Sequence, residues 1–298
     1  MSAGVYRRAL DVLRVRFTRQ HRVGPYRLAL PPGCRLDVLQ GRWPDYDRAL
    51  GALSALVFER YPAACAVDIG ANIGDTAALI CSHREVDVLC IEGMPSFLPS
   101  LRHNAATIGP RVRIHEGFVG DDDELIDLRR VFYDRGTGST AHAYGTASVA
   151  SPGSVAAASL GSILAGQPEL GPVKLLKSDT DGSDFKILLG SMDVIRRDYP
   201  ALFFEYDTRR SSDGQRLSLA CIDELLDAGY RRFLIYDNFG RLLRSDDRRN
   251  CFDDLNRYLD AEVTCIDYFD VCAFHSEDVA LAEPMIAAAS RHGTVVAR

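Results

Sequence analysis

The chain has no surplus of positive charge: 35 lysines and arginines are outnumbered by 41 aspartates and glutamates, for a net charge of −6. Nucleic-acid proteins usually present a basic face, so no nucleic-acid partner is expected. No apolar run approaches the roughly 18 residues of a membrane span. The arginine-rich start lacks the apolar core and small-residue cleavage site of a signal peptide. A cytoplasmic protein with no transmembrane segment is the expectation. There are eight cysteines but no C-x-x-C pair, which removes the usual zinc-ribbon and redox motifs. With Cys65, Cys90, Cys265 and Cys272 in apolar strand-like runs, buried reduced thiols are expected. His83, His103 and His115 have no ligand spacing, and no metal site is assigned.

What is present is an ordinary globular composition, 47% hydrophobic and 26% charged, with ample material for a core and none of the signature of disorder. At 298 residues the chain is one large domain with an added segment. Arg7, Arg8, Arg14, Arg16, Arg19 and Arg22 crowd the N-terminus, with Leu10, Leu13 and Phe17 on one helical face. This reads as a basic surface helix; contact with a membrane surface or partner is the sharper alternative.

From residue 62 onward, short apolar runs alternate with amphipathic stretches, the pattern of strand-helix-strand units on a parallel sheet. Strands are predicted over 63–69, 86–91, 112–115, 173–178, 201–206, 232–236 and 264–274. Helices are predicted over 75–82, 95–106 and 217–227, and one more after Asp184 carries Phe185, Leu188, Leu189, Met192 and Ile195 on one stripe. The expected fold is α/β, a doubly wound, mostly parallel sheet with helices on both faces. Residues 1–60 form a cover segment and 61–298 the main domain. Residues 134–158, rich in Gly, Ser and Ala, are read as a flexible loop over the strand ends, with His142 and Tyr144 as candidate contacts.

Chemistry concentrates at the strand ends. "VDIGANIGDT" spaces Asp68, Gly70, Asn72 and Gly74 along a turn between strand and helix. A dinucleotide loop would carry a third glycine in G-x-G-x-x-G, and the place is not filled that way here. The carboxylate of Asp68 would repel a pyrophosphate but attract the ammonium of an amino-acid moiety, which favours S-adenosylmethionine over NAD. Glu92, at the end of the second strand, is placed to accept both hydroxyls of a ribose. A nicotinamide-dependent oxidoreductase would also want a hydride-transfer pair such as Tyr-x-x-x-Lys, and none is present. A non-catalytic scaffold on the same fold is a third reading.

The segments "VDIGANIGDT", "IEGMP", "GFVGDDDE", "KLLKSDTDGSDFKILLGS" and "PALFFEYD" occur in this order and together resemble the FkbM family of S-adenosylmethionine-dependent methyltransferases, over about residues 60–240. The resemblance implies a Rossmann-like class I methyltransferase that methylates a hydroxyl oxygen on a natural product or sugar-containing small molecule. It implies cofactor-binding roles for Asp68, Gly70, Asn72 and Gly74 along the methionine part, Glu92 at the ribose, and Asp121 near the adenine. Where "KIDVEG" is commoner in the family this chain reads "KSDTDG", with Ser178 at a strand position that is normally apolar.

An alcohol needs a base before it can attack a methyl sulfonium. Lys177, Asp179, Asp181 and Glu205 are the catalytic candidates, with Asp184 and Asp207 beside them. In one reading Asp179 or Asp181 is the base and Lys177 or Glu205 orients the acceptor. In another the carboxylates hold a divalent metal. Capping of the helix near Gly182 accounts equally well for Asp181 and Asp184.

Overall fold

The computed structural model describes residues 18–120, 124–130, 132–134, 137–139, 153–261 and 264–291. The basic residues before Arg19, and Asp121, His142 and Tyr144, lie outside the described residues.

The described chain opens with an antiparallel hairpin, β1 (Arg19–Val23) and β2 (Tyr26–Leu30), followed by helices α1 (Leu36–Arg42) and α2 (Arg48–Arg60). Two βα units and a third strand follow: β3 (Cys65–Ile69), α3 (Asp75–Ile80), β4 (Asp87–Glu92), α4 (Leu98–Ile108) and β5 (Val112–Glu116). Short strands β6 (Phe118–Val119), β7 (Leu125–Asp127), β8 (Phe132–Asp134), β9 (Thr137–Ser139) and β10 (Ser154–Ala158) lead to α5 (Leu160–Ala165). The second half runs β11 (Val173–Ser178), α6 (Asp184–Gly190), α7 (Met192–Asp198), β12 (Ala201–Tyr206), α8 (Gly214–Asp227), β13 (Tyr230–Asp237), β14 (Leu242–Asp246), α9 (Asn250–Leu259), β15 (Phe269–His275) and α10 (Ala282–Arg291).

Among the described residues the main sheet has eight strands in the order β14-β13-β15-β12-β11-β3-β4-β5. The pairs from β5 through β12 are parallel, whereas β15 runs antiparallel to both its neighbours, β12 and β13. The expected doubly wound sheet is present.

Alternation along each strand decides which face a side chain joins. Val67, Ile69, Leu176, Phe204 and Val271 pack on one side with Leu188, Val194 and Ile222 of α6, α7 and α8. Ala66, Val88, Leu175, Phe203 and Phe274 pack on the other with Leu50, Leu53 and Val57 of α2 and Met285 of α10. Both faces are covered, which is why β3 and β12 are buried at every position.

Residues 18–60 share this core. Asn104 of α4, fully buried, accepts from Ala29 N at 2.8 Å and donates to Ala29 O at 3.0 Å and Ile73 O at 2.8 Å. One side chain thereby ties the N-terminal hairpin to the glycine turn.

Three expectations need correction. The helix after Asp184 is two helices, because Ser191 takes a non-helical conformation (φ −104°, ψ 11°) and its hydroxyl donates to Ile187 O at 2.7 Å. The last strand starts at Phe269; in the preceding segment Cys265 N and Ile266 N bond the Tyr258 hydroxyl, outside any strand ladder. Cys265 is consequently exposed.

Candidate active site

After Ile69 the chain must reverse to start α3 at Asp75. It does so through left-handed residues, Gly70 (φ +74°), Asn72 (φ +48°) and Gly74 (φ +86°), which glycine adopts freely and asparagine tolerates. At Gly70 a side chain is excluded a second time, since a Cβ would run into the Asp179 carbonyl oxygen. The turns after β3 and β11 are in backbone contact there.

This turn aims backbone at the end of β4. Asn72 N donates to Glu92 Oε2 at 2.8 Å and Met94 N to Glu92 Oε1 at 2.7 Å. Burial pushes the Glu92 carboxyl up to about 7, against the opposing pull of those two N–H bonds. Each oxygen has a further lone pair to offer. Gly93 leaves room for the Phe118 ring, which a Cβ there would meet at 2.5 Å. The result is a cleft lined by Glu92, Met94, Phe97, Phe118, Gly70, Asn72, Asp179 and Asp181. Its lining combines apolar Met94, Phe97 and Phe118, the backbone of the glycine turn beside Glu92, and acidic Asp179 and Asp181.

Asp68 and Lys177 are not among the residues that line this cleft. They face each other across β3 and β11 in direct register, with side chains 0% and 2% exposed and Lys177 Nζ 3.1 Å from Asp68 Oδ1. That contact is ionic without hydrogen-bond alignment. The ammonium donates instead to Gly70 O at 2.9 Å and Ile69 O at 3.3 Å, while Asp68 Oδ2 accepts from the Thr76 hydroxyl. Burial draws the Lys177 pKa down, but Asp68 and Asp179 outweigh it and hold it above the usual lysine range. The pair pins the glycine turn from below. Ile69, with its side chain in the opposite core, offers only backbone to it.

The remaining carboxylates surround the ends of β11 and β12. The Asp179 side chain is 48% exposed, 3.8 Å from Lys177 Nζ. Asp181, left-handed at φ +53°, lies 3.2 Å from Arg210 Nη2; burial and Asp179 push its carboxyl up to about 7 despite that arginine. Asp184 is internal: it accepts from Ser178 Oγ at 2.6 Å and Thr180 N at 3.1 Å, closing the loop that begins α6. Ser178 thus occupies an apolar strand position because Asp184 satisfies its hydroxyl. Glu205 is 4% exposed and its Oε1 is buried without a hydrogen-bond partner; burial, then Asp179 and Asp181, drive its pKa well up. Asp207 is engaged by Arg209 N at 2.9 Å and Arg210 Nε at 3.3 Å.

Sequence reasoning missed Asp47 and Asp270, whose pKa values are also driven well up by burial and by neighbouring carboxylates. Asp270 had a signal, an acidic residue inside the apolar run "FDVCAF". Asp47 had none beyond its place in "PDYDRAL".

A sheet that is parallel from β5 through β12, with an antiparallel strand inserted before its last parallel member and a glycine turn after β3 facing an acidic strand end on β4, defines a Rossmann-like class I methyltransferase. Residues 68–232 match the methyltransferase FkbM domain, and the chain belongs to that family. No curated protein matches the chain significantly. Among solved structures it is similar to methyltransferase FkbM from Methylobacillus flagellatus KT, at 15% identity and a TM-score of 0.44, covering 70% of this chain and 43% of that one. It thus spans less than half of that protein. It is also similar to a putative O-methyltransferase from Klebsiella pneumoniae, at 14% identity and TM-score 0.39 over 80% of this chain and 90% of that one. A putative RNA methyltransferase from Pyrococcus horikoshii aligns at 9% identity and TM-score 0.37 over 91% and 98% of the two chains.

Proposed function

We propose that the protein transfers a methyl group from S-adenosylmethionine to a hydroxyl oxygen of a small molecule, a natural product or sugar-containing compound. The observation that carries the cofactor is Glu92, whose carboxylate is held by two backbone N–H groups in a cleft whose lining includes Met94, Phe97 and Phe118. Glu92 accepts the ribose hydroxyls, the Phe97 and Phe118 side receives the base, and the glycine turn receives the amino-acid part. When bound, S-adenosylmethionine supplies a methyl group already activated by its sulfonium. The protein's task is then to align an acceptor and remove its proton.

Asp179 is the base in this reading. It is the carboxylate at the strand ends that faces the cleft without being consumed by the loop, unlike Asp184, or by an arginine, unlike Asp181. Lys177 positions the turns and stays protonated. The acidic surroundings support a small-molecule acceptor over a polyanion, which would meet like charge here. The nicotinamide reading gives way to the family membership.

Calorimetric titration with S-adenosylhomocysteine, NAD in parallel, tests the cofactor. Micromolar binding that Glu92→Gln weakens is expected, and silence from the wild-type protein would remove the methyltransferase reading in favour of a non-catalytic scaffold. With an acceptor found by screening, Asp179→Asn should lower kcat by about 10²–10⁴-fold, the usual worth of a general base, with KM little changed. A kcat within about twofold of wild type would exclude Asp179 as that base.

A further inference from the structure

Away from the cleft, a second cavity opens between α2, the hairpin of β13 and β14, and α10. Ala49 and Ala52 of α2, Leu242 of β14, and Met285 and Ala289 of α10 wall it, and it shares no lining residue with the cleft. Tyr236 of β13 also lines it; in the strand order β13-β15-β12-β11 that strand stands three spacings, about 14 Å, from β11. Small side chains on two helices leave room for an occupant, and the apolar surface they present favours one with an apolar body.

Tyr236 is 5% exposed, yet its hydroxyl has no hydrogen-bond partner among the described residues, whereas those of Tyr206 and Tyr230 bond to Asn256 Oδ1 at 2.8 Å and Pro200 O at 2.6 Å. Nor is that hydroxyl one of the unpartnered polar atoms sealed in the core, so it opens on the cavity its residue lines. Buried tyrosine hydroxyls find a partner as a rule, and a ligand oxygen would supply one. The rim adds positive charge. Arg48 lines the cavity from the first turn of α2, whose N-terminus has no side-chain cap and favours an anion. Its ion pair with Asp45 is exposed and long, at 3.4 Å, and contributes little. Arg241, between the lining residues Gly240 and Leu242, and Arg42 stand 5.9 and 5.4 Å from the Trp43 ring centre. Neither has an ion-pair partner among the described residues. Asp45 offsets one of these charges. Asp237, in the same hairpin, is spent within it, accepting from Phe239 N at 3.0 Å and Arg241 N at 2.8 Å.

We propose that this cavity binds a small carboxylic acid with an apolar body, its ring or short chain against Ala52, Leu242 and Met285 and its carboxylate held by the Tyr236 hydroxyl and Arg48. The site is a second one, separate from the cofactor cleft, and stands whether or not the methyltransferase reading does. Burial keeps the Tyr236 hydroxyl protonated, so it donates to the carboxylate, and the uncapped end of α2 adds to the same preference. A ligand amine would instead meet three guanidinium groups against the one carboxylate of Asp45.

The test titrates the full chain with phenylacetate, 2-phenylethanol, phenethylammonium and acetate, followed by calorimetry and by the fluorescence of Trp43, the one tryptophan in the sequence. Phenylacetate should bind about tenfold or more tighter than 2-phenylethanol or phenethylammonium, the advantage of a charge-assisted contact. Acetate, with no apolar body to bury, should not bind detectably. Tyr236→Phe should weaken phenylacetate by about fivefold or more. Its melting temperature should be unchanged or higher, because the hydroxyl it removes has no partner in the free protein. Ala289→Leu fills the cavity from a half-buried position of α10 and should abolish binding while keeping a wild-type-like melting transition. Phenethylammonium or acetate binding as tightly as phenylacetate, unchanged affinity in Tyr236→Phe, binding that survives Ala289→Leu, competition with S-adenosylhomocysteine, or silence toward phenylacetate would each overturn the proposal.

Discussion

At the scale of single residues, the site works by holding charge states away from their ordinary values. Glu92 is pushed up to about 7 by burial, although two N–H groups already favour its charged form. Ribose hydroxyls donating to the same carboxylate add to that preference, so cofactor binding should release a proton. The affinity for S-adenosylhomocysteine is therefore expected to rise with pH from about 6 to 8, and Glu92→Gln should weaken it by about tenfold or more and abolish the pH dependence. Titrations at several pH values check this; a flat wild-type profile would mean that Glu92 does not carry the ribose. Lys177 is the other decisive residue. Lys177→Met leaves Asp68 as a buried unpaired charge and should cost about 3–5 kcal/mol of stability. The double variant with Asp68→Asn should recover much of that loss in denaturant melts, because it removes the charge along with its partner.

At the scale of elements, the turn after β3 and the turn after β11 form one unit. Gly70 is left-handed and abuts the Asp179 carbonyl, and Lys177 bonds the carbonyls of Ile69 and Gly70 from beneath. Gly70→Ala meets a backbone strain of about 1–3 kcal/mol before the collision with Asp179 is counted. The expected outcome is a lower melting temperature together with lost S-adenosylhomocysteine affinity, since relief requires the two turns to part. An alanine variant that binds the cofactor product as well as wild type would show the turns to be independent. The N-terminal hairpin reaches the same turn through Asn104 and Ile73 O.

At the scale of the whole molecule, the strand ends collect more carboxylates than the fold neutralises. Folding raises Glu92 and Asp181 to about 7 and Asp75 and Asp184 to about 6, with burial the leading cause for each. The unfolded chain, with the ordinary values of 3.8 for aspartate and 4.5 for glutamate, has released these protons well below neutrality. The native state therefore holds more protons between those limits. The stability contributed by these groups is complete below their unfolded pKa values and is lost as pH rises through the folded ones. Calorimetric melting of the ligand-free protein should show a transition temperature that falls from about pH 5 to pH 8. A rise over that interval would contradict the charge balance described here.

The sequence by itself determined the order of the elements and where its turns fall, because those depend on local properties: apolar alternation, and backbone angles that only glycine and a few polar residues accept. Val173–Ser178 and Ala201–Tyr206 are strands to the residue, and Gly70, Asn72 and Glu92 line one cleft. What alternation does not encode is strand direction, and so the insertion of β15 against β12, with Asp270 opposite Glu205, lay outside its reach. The helix split at Ser191 also escaped it, because an apolar stripe carries through a break that leaves the same face buried. Only the tertiary structure decided which carboxylates are spent within the protein and which are offered to a ligand. Asp68 and Asp179 look alike in the chain, yet one is sealed against Lys177 and the other faces the cleft, since the charge state and availability of a side chain are set by its neighbours in space.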